Sequence, residues 1–342
     1  ACAPAADVLW GRKNRKGALP LARTACQAGV ALGCTVHGQI LEQTAQTMAQ
    51  LGRARDLYLR ACKEGEPRGC ASLGVLLYDG RSLPRDYPKA FVLATRSCDK
   101  ADPIGCRLLA MLYFGGHGVK ADAGKLAPLL ARACEAGSVR DCRTVAQMYA
   151  LGKFVKADPV RARRYYDTAC AARDVGSCVE LAGLLLEGQS ASGRARAGTL
   201  LRTACTQKHA AACARLGDLY SDPAAGKPNF ALARRFYHAA CTHKSGRGCT
   251  VLGSLLLHGA GGDRNVKRAV ELFSRGCSLG ITEACEEKEI VRLVVASREN
   301  HKGGGIVIPE SMRDIVTRAC QKNPLSAGCV VLKLQERSSR PR

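Results

Sequence analysis

The chain has 342 residues, of which 46% are hydrophobic, only 5% are aromatic and 19 are cysteines. This is enough apolar material for a folded protein. The sequence has no run of 18 apolar residues, so no transmembrane helix is predicted. Lysine and arginine outnumber aspartate and glutamate by 52 to 29, a formal net charge of +23. The basic residues are spread along the chain, so they favour no specific nucleic-acid site. They fit either an acidic partner or a solubilising helix surface.

The cysteine content predicts an oxidising compartment. Nineteen cysteines would be a burden in a reducing cytosol, whereas in a periplasm or outside the cell they oxidise and remain paired. The first 30 residues lack the pattern of a secretory signal, so we expect a removed signal and a secreted or periplasmic protein.

Cysteines recur in pairs with seven residues between them. The pairs are Cys26/Cys34, Cys62/Cys70, Cys98/Cys106, Cys134/Cys142, Cys170/Cys178, Cys205/Cys213, Cys241/Cys249 and Cys277/Cys285, followed by a wider pair, Cys320/Cys329. First cysteines follow each other at steps of 36 or 35 residues, and the last step is 43. A period of this length predicts a solenoid of stacked units.

Each pair lies between two predicted helices. Counted back from the first cysteine, position −8 is usually alanine, −5 is large and apolar, −4 is apolar or aromatic, and −1 is small. Counted forward from the second cysteine, apolar residues stand at +3, +6 and +7, a small residue at +4 and glycine often at +10. These spacings predict an amphipathic first helix, and a second helix that packs closely and ends at a glycine cap.

The seven-residue gap is explained by a helix hairpin. The first cysteine lies in the last turn of one helix and the second in the first turn of the next, and an antiparallel hairpin brings these turns side by side. We therefore predict a disulfide in every pair. Closing a loop of about nine residues stabilises a hairpin by roughly 2 to 3 kcal/mol on the chain-entropy model.

Segments such as "DYPKAFVLATRSC" and "CASLGVLLYDG" resemble the Sel-like (Sel-one-like) repeat family, which is related to tetratricopeptide repeats. The paired cysteines resemble its disulfide-bridged branch, the cysteine-rich secreted proteins of Helicobacter. The resemblance covers nearly the whole chain. It implies an all-α fold, a right-handed α/α superhelical solenoid of about nine hairpins with a concave groove. It also implies a scaffold that binds a protein or peptide.

The end of the chain departs from the repeat. Glu289 replaces the small +4 residue, and "RENHKGGGIVIPES" adds seven residues before the next helix. We therefore divide the chain into stacked repeats over 1–285 and a divergent repeat over 286–342, in which residues 330–342 form a short capping helix and a basic tail.

Cys2 is the odd cysteine. Ala6, Val8, Leu9 and Trp10 match positions +4, +6, +7 and +8, so Cys2 takes the place of a second cysteine whose partner is missing. Three interpretations remain open: a partner upstream in a longer chain, a lipid anchor on an outer-membrane lipoprotein, or a free thiol.

The sequence contains no convincing catalytic or metal motif. There is no C-x2-C, and the seven histidines share no repeat position, so we expect neither a metal nor another cofactor. Ser97 to Lys100 and Lys244 to Gly246 match fragments of penicillin-recognising motifs, but they lie four repeats apart.

Position −9 is basic in six repeats, and we call these residues the basic ladder: Arg53, Lys89, Lys125, Arg161, Arg196 and Arg268. Stacking would align them for an acidic protein or an anionic envelope component. Alternatively, their stems cover the neighbouring helix.

Positions +5 and +8 of the second helix vary and include apolar residues, which are candidate groove contacts: Val75, Tyr78, Met111, Phe114, Leu186 and Leu257. The alternative is that several of them pack between repeats.

The sequence thus favours a non-enzymatic, extracytoplasmic interaction scaffold that holds a protein, peptide or envelope component in a concave groove. Two alternatives are binding or slow hydrolysis of β-lactams or peptidoglycan fragments, which the resemblance alone suggests, and a structural subunit of an envelope assembly. The oligomeric state is left open.

Overall fold

The computed structural model describes residues 2–81, 83–300, 310–322, 326, 328–329 and 332. The chain divides into two compact units, Ala1–Ser177 and Cys178–Arg342. Every regular element in these described ranges is helical, which confirms the predicted all-α class.

The first unit contains α1 (Cys2–Gly11), α2 (Arg15–Gln27), α3 (Ala31–Thr44), α4 (Met48–Lys63), α5 (Pro67–Asp79), α6 (Tyr87–Asp99), α7 (Pro103–Gly115), α8 (Leu126–Glu135), α9 (Val139–Leu151) and α10 (Pro159–Ala171). The division falls within α11 (Val175–Glu187), and the second unit continues with α12 (Ala191–Thr206), α13 (Ala210–Ser221), α14 (Phe230–Thr242), α15 (Gly246–His258), α16 (Val266–Ser278), α17 (Thr282–Asn300) and α18 (Glu310–Lys322). Even-numbered helices are the predicted first helices, and odd-numbered helices are the second helices.

The helices have the predicted capping residues at their N- and C-terminal ends. Asp86 caps α6, its side chain accepting the backbone N–H of Lys89 at 3.0 Å. Gly116 ends α7 in the left-handed conformation, with φ of 66°. These contacts satisfy backbone groups that the end turns of a helix cannot pair internally.

Small residues at +4 receive the side chain at −4 of the next first helix. A Cβ added to Gly38 would lie 2.6 Å from the Tyr58 ring, and one added to Gly217 would lie 2.6 Å from the Tyr237 ring. Both tyrosines are fully or almost fully buried. In each case the tyrosine ring of the next hairpin packs directly against the backbone of the second helix at the glycine. A larger residue at these +4 positions would overlap with the ring.

Each unit has the predicted repeat order. In the first unit, α1 contacts α3, α3 contacts α5 and α5 contacts α7, and in the second unit α13 contacts α15. Within the first unit these second helices therefore form a layer of their own, and α2, α4, α6 and α8 each pack between two consecutive second helices. This is the arrangement of a helical solenoid.

The end of the second unit departs from the repeat, as the sequence predicts. Helix α17 has 19 residues, whereas α15 has 13, and Glu289 is exposed on it. The predicted capping helix and tail over 330–342 lie outside the described residues, apart from Leu332. The division at residue 285 stays a prediction. Among the described helices, none combines the length and the apolar character needed to cross a membrane.

Candidate functional site

The predicted disulfides close the hairpins. Eight pairs have Cα–Cα distances of 4.4 to 4.8 Å, with sequence separations of eight, or nine for the last pair. These pairs are Cys26–Cys34, Cys62–Cys70, Cys98–Cys106, Cys134–Cys142, Cys205–Cys213, Cys241–Cys249, Cys277–Cys285 and Cys320–Cys329. Cys170 and Cys178 are also disulfide-bonded.

The bridged cysteines hold the hairpins and are not contacts for a partner. Cys285 is half-buried in the first turn of α17. Six other second cysteines lie in the first turn of a second helix and are buried: Cys34, Cys70, Cys106, Cys142, Cys213 and Cys249. Small residues allow this close approach of two helices, since a Cβ on Gly69 would lie 2.7 Å from the Ala61 side chain. Cys2 is half-buried and is the free cysteine of the described chain.

The candidate groove contacts lie in different environments. Met111 and Phe114 are 40% and 49% exposed, whereas Val75 and Tyr78 are half-buried. Leu186 is also half-buried and lines a cleft of about 630 Å³ in the second unit. This surface therefore includes both exposed and partly packed side chains.

The prediction of Leu257 as an exposed groove contact is wrong. It is 5% exposed and belongs to a hydrophobic cluster that also contains Ile290 and Val291 of α17. The divergent last repeat supplies this cover, so Leu257 is a core residue and not a surface contact.

Two aromatic groups border the second helices of the first unit. Tyr78 packs edge-on against Tyr87 at 5.6 Å and against His117 at 5.7 Å. Phe114 packs edge-on against Phe154 at 5.1 Å, and Phe154 is 46% exposed. Phe154 also has φ of 65°, a conformation that costs a bulky residue energy. Phe154 is not among the candidate residues predicted from the sequence. It occupies the repeat position that is Gly118 in the preceding repeat.

All six residues of the basic ladder are exposed. Five of them lie on first helices, and Lys125 lies in a short 3-10 turn, Ala123–Lys125, that leads into α8. Some of them have acidic partners close in sequence. Lys89 pairs with the capping Asp86 at 2.8 Å, and Arg268 pairs with Glu271 at 2.6 Å.

Two other ladder residues cover a tyrosine at +7 of the preceding second helix. Lys125 lies 5.5 Å from the centre of the Tyr113 ring, and Arg161 lies 5.4 Å from that of Tyr149. Arg161 also donates to the Tyr149 hydroxyl at 3.2 Å. Position −9 thus reaches over the residue at +7, which supports the packing interpretation for these two residues.

In two hairpins with leucine at +7, the same position borders an open cleft. A cleft of about 660 Å³ lies between α2, α3 and α4, with Leu19, Leu41 and Leu57 as its apolar part. Its basic residues are Arg23, His37, Arg53 and Arg60. Its only carboxylate among the described lining residues, Asp56, is already paired with Arg55 at 2.7 Å.

The second unit contains an equivalent cleft of about 410 Å³ between α14, α15 and α16. Its apolar part is Leu252, Leu256 and Leu272, and its basic residues are Arg234, Arg235, His238 and Arg268. Arg268 and Leu256 occupy the same repeat positions as Arg53 and Leu41. We call the two sites the leucine-floored clefts.

Two arginines of the second helices form ion pairs that the arginines of the first cleft lack. On the second helices, Arg107 forms a bidentate pair with Asp141 at 2.7 to 3.1 Å, and Arg247 forms one with Asp218 at 2.6 and 2.9 Å. In the first cleft, Arg23, Arg53 and Arg60 have no acidic partner among the described residues. The cleft arginines are therefore free to bind an external anion.

One histidine and two tyrosines have pKa values shifted by their surroundings. Burial lowers the pKa of His37 in the first cleft, and the nearby positive charge of Arg23 lowers it further. Burial, followed by the charges of Glu42 and Asp218 respectively, raises the pKa of Tyr58 and Tyr237. Both tyrosines donate to these carboxylates, at 2.8 and 2.6 Å, so they act as structural donors.

Ser97, which the sequence places in a fragment of a penicillin-recognising motif, has a structural role. Ser97 is buried, and its hydroxyl donates to the Pro67 carbonyl at 2.7 Å. Across the described part of the chain, no three histidine, cysteine or acidic side chains cluster as a metal site.

Comparisons with known proteins agree with this architecture. A family model described as Sel1 repeat matches residues 48–66, 67–102, 103–138, 143–174, 210–245 and 247–281. A search of curated proteins found no match.

Solved structures were found at low sequence identity. One is c5321, a protective antigen of uropathogenic Escherichia coli with an SLR fold, at 20% identity and TM-score 0.65, covering 93% of this chain and 67% of that chain. A Sel1 repeat protein from Oxalobacter formigenes gives 17% identity and TM-score 0.60, covering 92% and 90%. Helicobacter pylori cysteine rich protein B gives 23% identity and TM-score 0.19, covering 59% and 93%. The matched repeats span more than half of the sequence, and most of them contain a second helix and the first helix that follows it. The chain belongs to the Sel1 repeat family.

Proposed function

We propose that this protein is an extracytoplasmic, non-enzymatic scaffold that holds a protein or peptide partner. The observation that carries this proposal is the disulfide within hairpin after hairpin, with similar Cα–Cα distances in both units. A bridged hairpin loses little conformational entropy when a partner binds, so the surface it presents is pre-organised. The family likewise consists largely of interaction scaffolds.

The surface of the first unit that best fits a partner contains Met111, Phe114 and Phe154. Exposed apolar side chains that lie together, as Phe114 and Phe154 do, are typical of interaction surfaces. Phe154 keeps a strained backbone conformation while its ring pairs with Phe114, which supports a role outside the protein's own core.

Partner recovery from the native envelope tests this proposal. Immobilised oxidised protein should retain a defined partner, and Phe114→Ser with Phe154→Ser should lose it while the thermal transition stays in place. Tyr78→Ala is the matched control, because its ring packs within the protein: we expect a lower melting temperature and unchanged recovery. Recovery that is identical for all three proteins would refute a partner site at this surface.

A further inference from the structure

The two leucine-floored clefts share one design in two different units. In each, a first helix provides arginine at −9 and leucine at −5, and the preceding second helix provides leucine at +7. Each cleft also has a histidine and two further arginines. The apolar part therefore lies between basic residues on the flanking first helices.

We propose that each leucine-floored cleft binds an acidic peptide segment that carries one large apolar side chain. The apolar side chain contacts the three leucines, and carboxylates on either side of it pair with the arginines. Arginine suits this role because its planar guanidinium can form two hydrogen bonds to one carboxylate. None of the residues that line the two clefts belongs to the surface of Met111, Phe114 and Phe154, so the test of this proposal is independent of the partner test above.

Charge complementarity identifies the occupant. Arg23, Arg53 and Arg60 bring three positive charges to the first cleft, and its one carboxylate, Asp56, is engaged by Arg55. In the second cleft, Arg235 has no acidic partner in the described chain, while Arg268 has Glu271. Arg234 of the second cleft donates to the Asp263 carbonyl at 3.3 Å. An anionic ligand therefore finds three guanidinium groups without an acidic partner in the first cleft and one available guanidinium group, that of Arg235, in the second.

The apolar part favours a peptide over a lipid or a simple polyanion. Three leucine side chains can cover one aliphatic or aromatic side chain, whereas the open cleft would leave most of an acyl chain in water. A polyanion without apolar groups would leave the leucines unused. Both of these ligands are outcomes of the test.

The sites with tyrosine at +7, Tyr113 beside Lys125 and Tyr149 beside Arg161, provide the matched control, and we call them the tyrosine-floored grooves. Arg161 occupies the same repeat position as Arg53, but it lies over the Tyr149 ring and donates to its hydroxyl. Substituting either arginine changes the net charge equally. Non-specific attraction to a chain of formal charge +23 therefore falls equally in the two variants, and only a specific site separates them.

The experiment is calorimetric titration of the full oxidised chain with the pentapeptide Glu-Asp-Leu-Asp-Glu, blocked at both ends. We expect two peptides to bind per chain. Arg53→Gln, or Leu41→Tyr, should reduce this to one, and adding Arg235→Gln should abolish binding. Each loss corresponds to an affinity decrease of about tenfold or more, as expected for charge-assisted hydrogen bonds. The Arg161→Gln control should retain two sites.

Three results would overturn the proposal. The first is equal binding of Glu-Asp-Ser-Asp-Glu, which would show that the leucines contribute nothing. The second is an equal effect of Arg161→Gln and Arg53→Gln, which would show that only net charge matters. The third is saturable binding of phosphatidylglycerol vesicles, abolished by the cleft variants, with no peptide binding, which would assign the clefts to a lipid surface.

Discussion

The leucine-floored clefts and the tyrosine-floored grooves differ at +7 of the second helix, and the Tyr149 groove also has Tyr165 at −5, where both clefts have leucine. With Tyr149 at +7, Arg161 lies over the ring and is used within the protein. With Leu41 at +7, Arg53 has no such partner and borders a cleft of about 660 Å³. A basic residue at one repeat position thus contacts a tyrosine at +7 in one hairpin and is unpaired beside a leucine in another, whereas Arg268, also beside a leucine, pairs with Glu271.

This comparison shows how a repeat protein can vary its surface without changing its fold. The residue at +7 is largely enclosed in both cases, since Leu256 is 9% exposed and Tyr149 is 8% exposed. The exchange of leucine and tyrosine at +7 therefore changes which side chain faces the basic residue at −9 within the same helix arrangement. The disulfides support this by holding each hairpin independently of its neighbours.

The largest effect is expected from truncating a cleft floor. Leu256→Ala should destabilise the second unit by about 2 to 5 kcal/mol, because it removes buried methyl groups from a packed cluster. Urea unfolding followed by circular dichroism measures the change. Leu279→Ala, at a 38% exposed residue, is the control and should change stability by less than about 0.5 kcal/mol. Equal effects of the two variants would show that the cleft floor is not part of the core.

Converting a tyrosine floor to leucine should have an intermediate effect. Tyr149→Leu removes the stacking of Tyr149 on Tyr165, whose ring centres are 6.0 Å apart, and the hydrogen bond from Arg161. We expect a loss of about 1 to 2 kcal/mol in unfolding free energy. The same variant should also open a third cleft and bind one more acidic peptide.

Tyr149→Phe is the control for that conversion, because it keeps the ring and removes only the hydroxyl. It should cost less stability than Tyr149→Leu and gain no peptide site. If the Tyr149→Leu variant binds no additional peptide, the residue at +7 does not determine the cleft.

A smaller effect is expected from the two arginines themselves. Arg161→Gln should lower the melting temperature slightly, by less than Tyr149→Leu does, because it removes the contact with the tyrosine ring. Arg53→Gln should leave the melting temperature unchanged, because Arg53 has no ion pair in the described chain. Differential scanning calorimetry of both variants checks this order, and the reverse order would contradict the assignment of structural and free arginines.

Much of the fold could be predicted because its determinants are local and repeated. The cysteine spacing, the apolar positions and the glycine caps each lie within one hairpin, and the period makes every copy support the others. The small +4 residue was predictable for the same reason. Its partner, the ring of Tyr58 or Tyr237 at −4, is a contact between different hairpins, and no single helix pattern reveals it.

The site could be predicted only in part because it depends on such contacts. The ladder position was visible in the sequence, but whether Arg53 or Arg161 is free depends on a residue in another helix. A comparison of positions −9 and +7 across the repeats would have provided that signal. Leu257 was misassigned because its cover comes from the divergent α17, which the repeat pattern does not describe.

The smallest expected effect concerns pH and separates the two leucine-floored clefts. His37 stands at +3 in the first cleft, where the second cleft has Leu252. The groups that face it are Arg23 on α2 and Arg53, Asp56 and Arg60 on α4. Burial, and then the charge of Arg23, lowers the pKa of His37 below its ordinary value of 6.5.

Because the folded-state pKa of His37 is lowered, the unfolded chain binds the proton more tightly. The contribution of His37 to stability is therefore complete above pH 6.5 and is lost as the pH falls through the folded-state pKa. Replacing His37 with the second cleft's residue, as His37→Leu, should flatten the stability profile of the first unit below pH 6.5. Urea midpoints of both proteins between about pH 7.5 and 5.0 measure this. Parallel profiles would show that His37 protonates equally well in the folded and unfolded chain, and its place in the first cleft would then not affect stability.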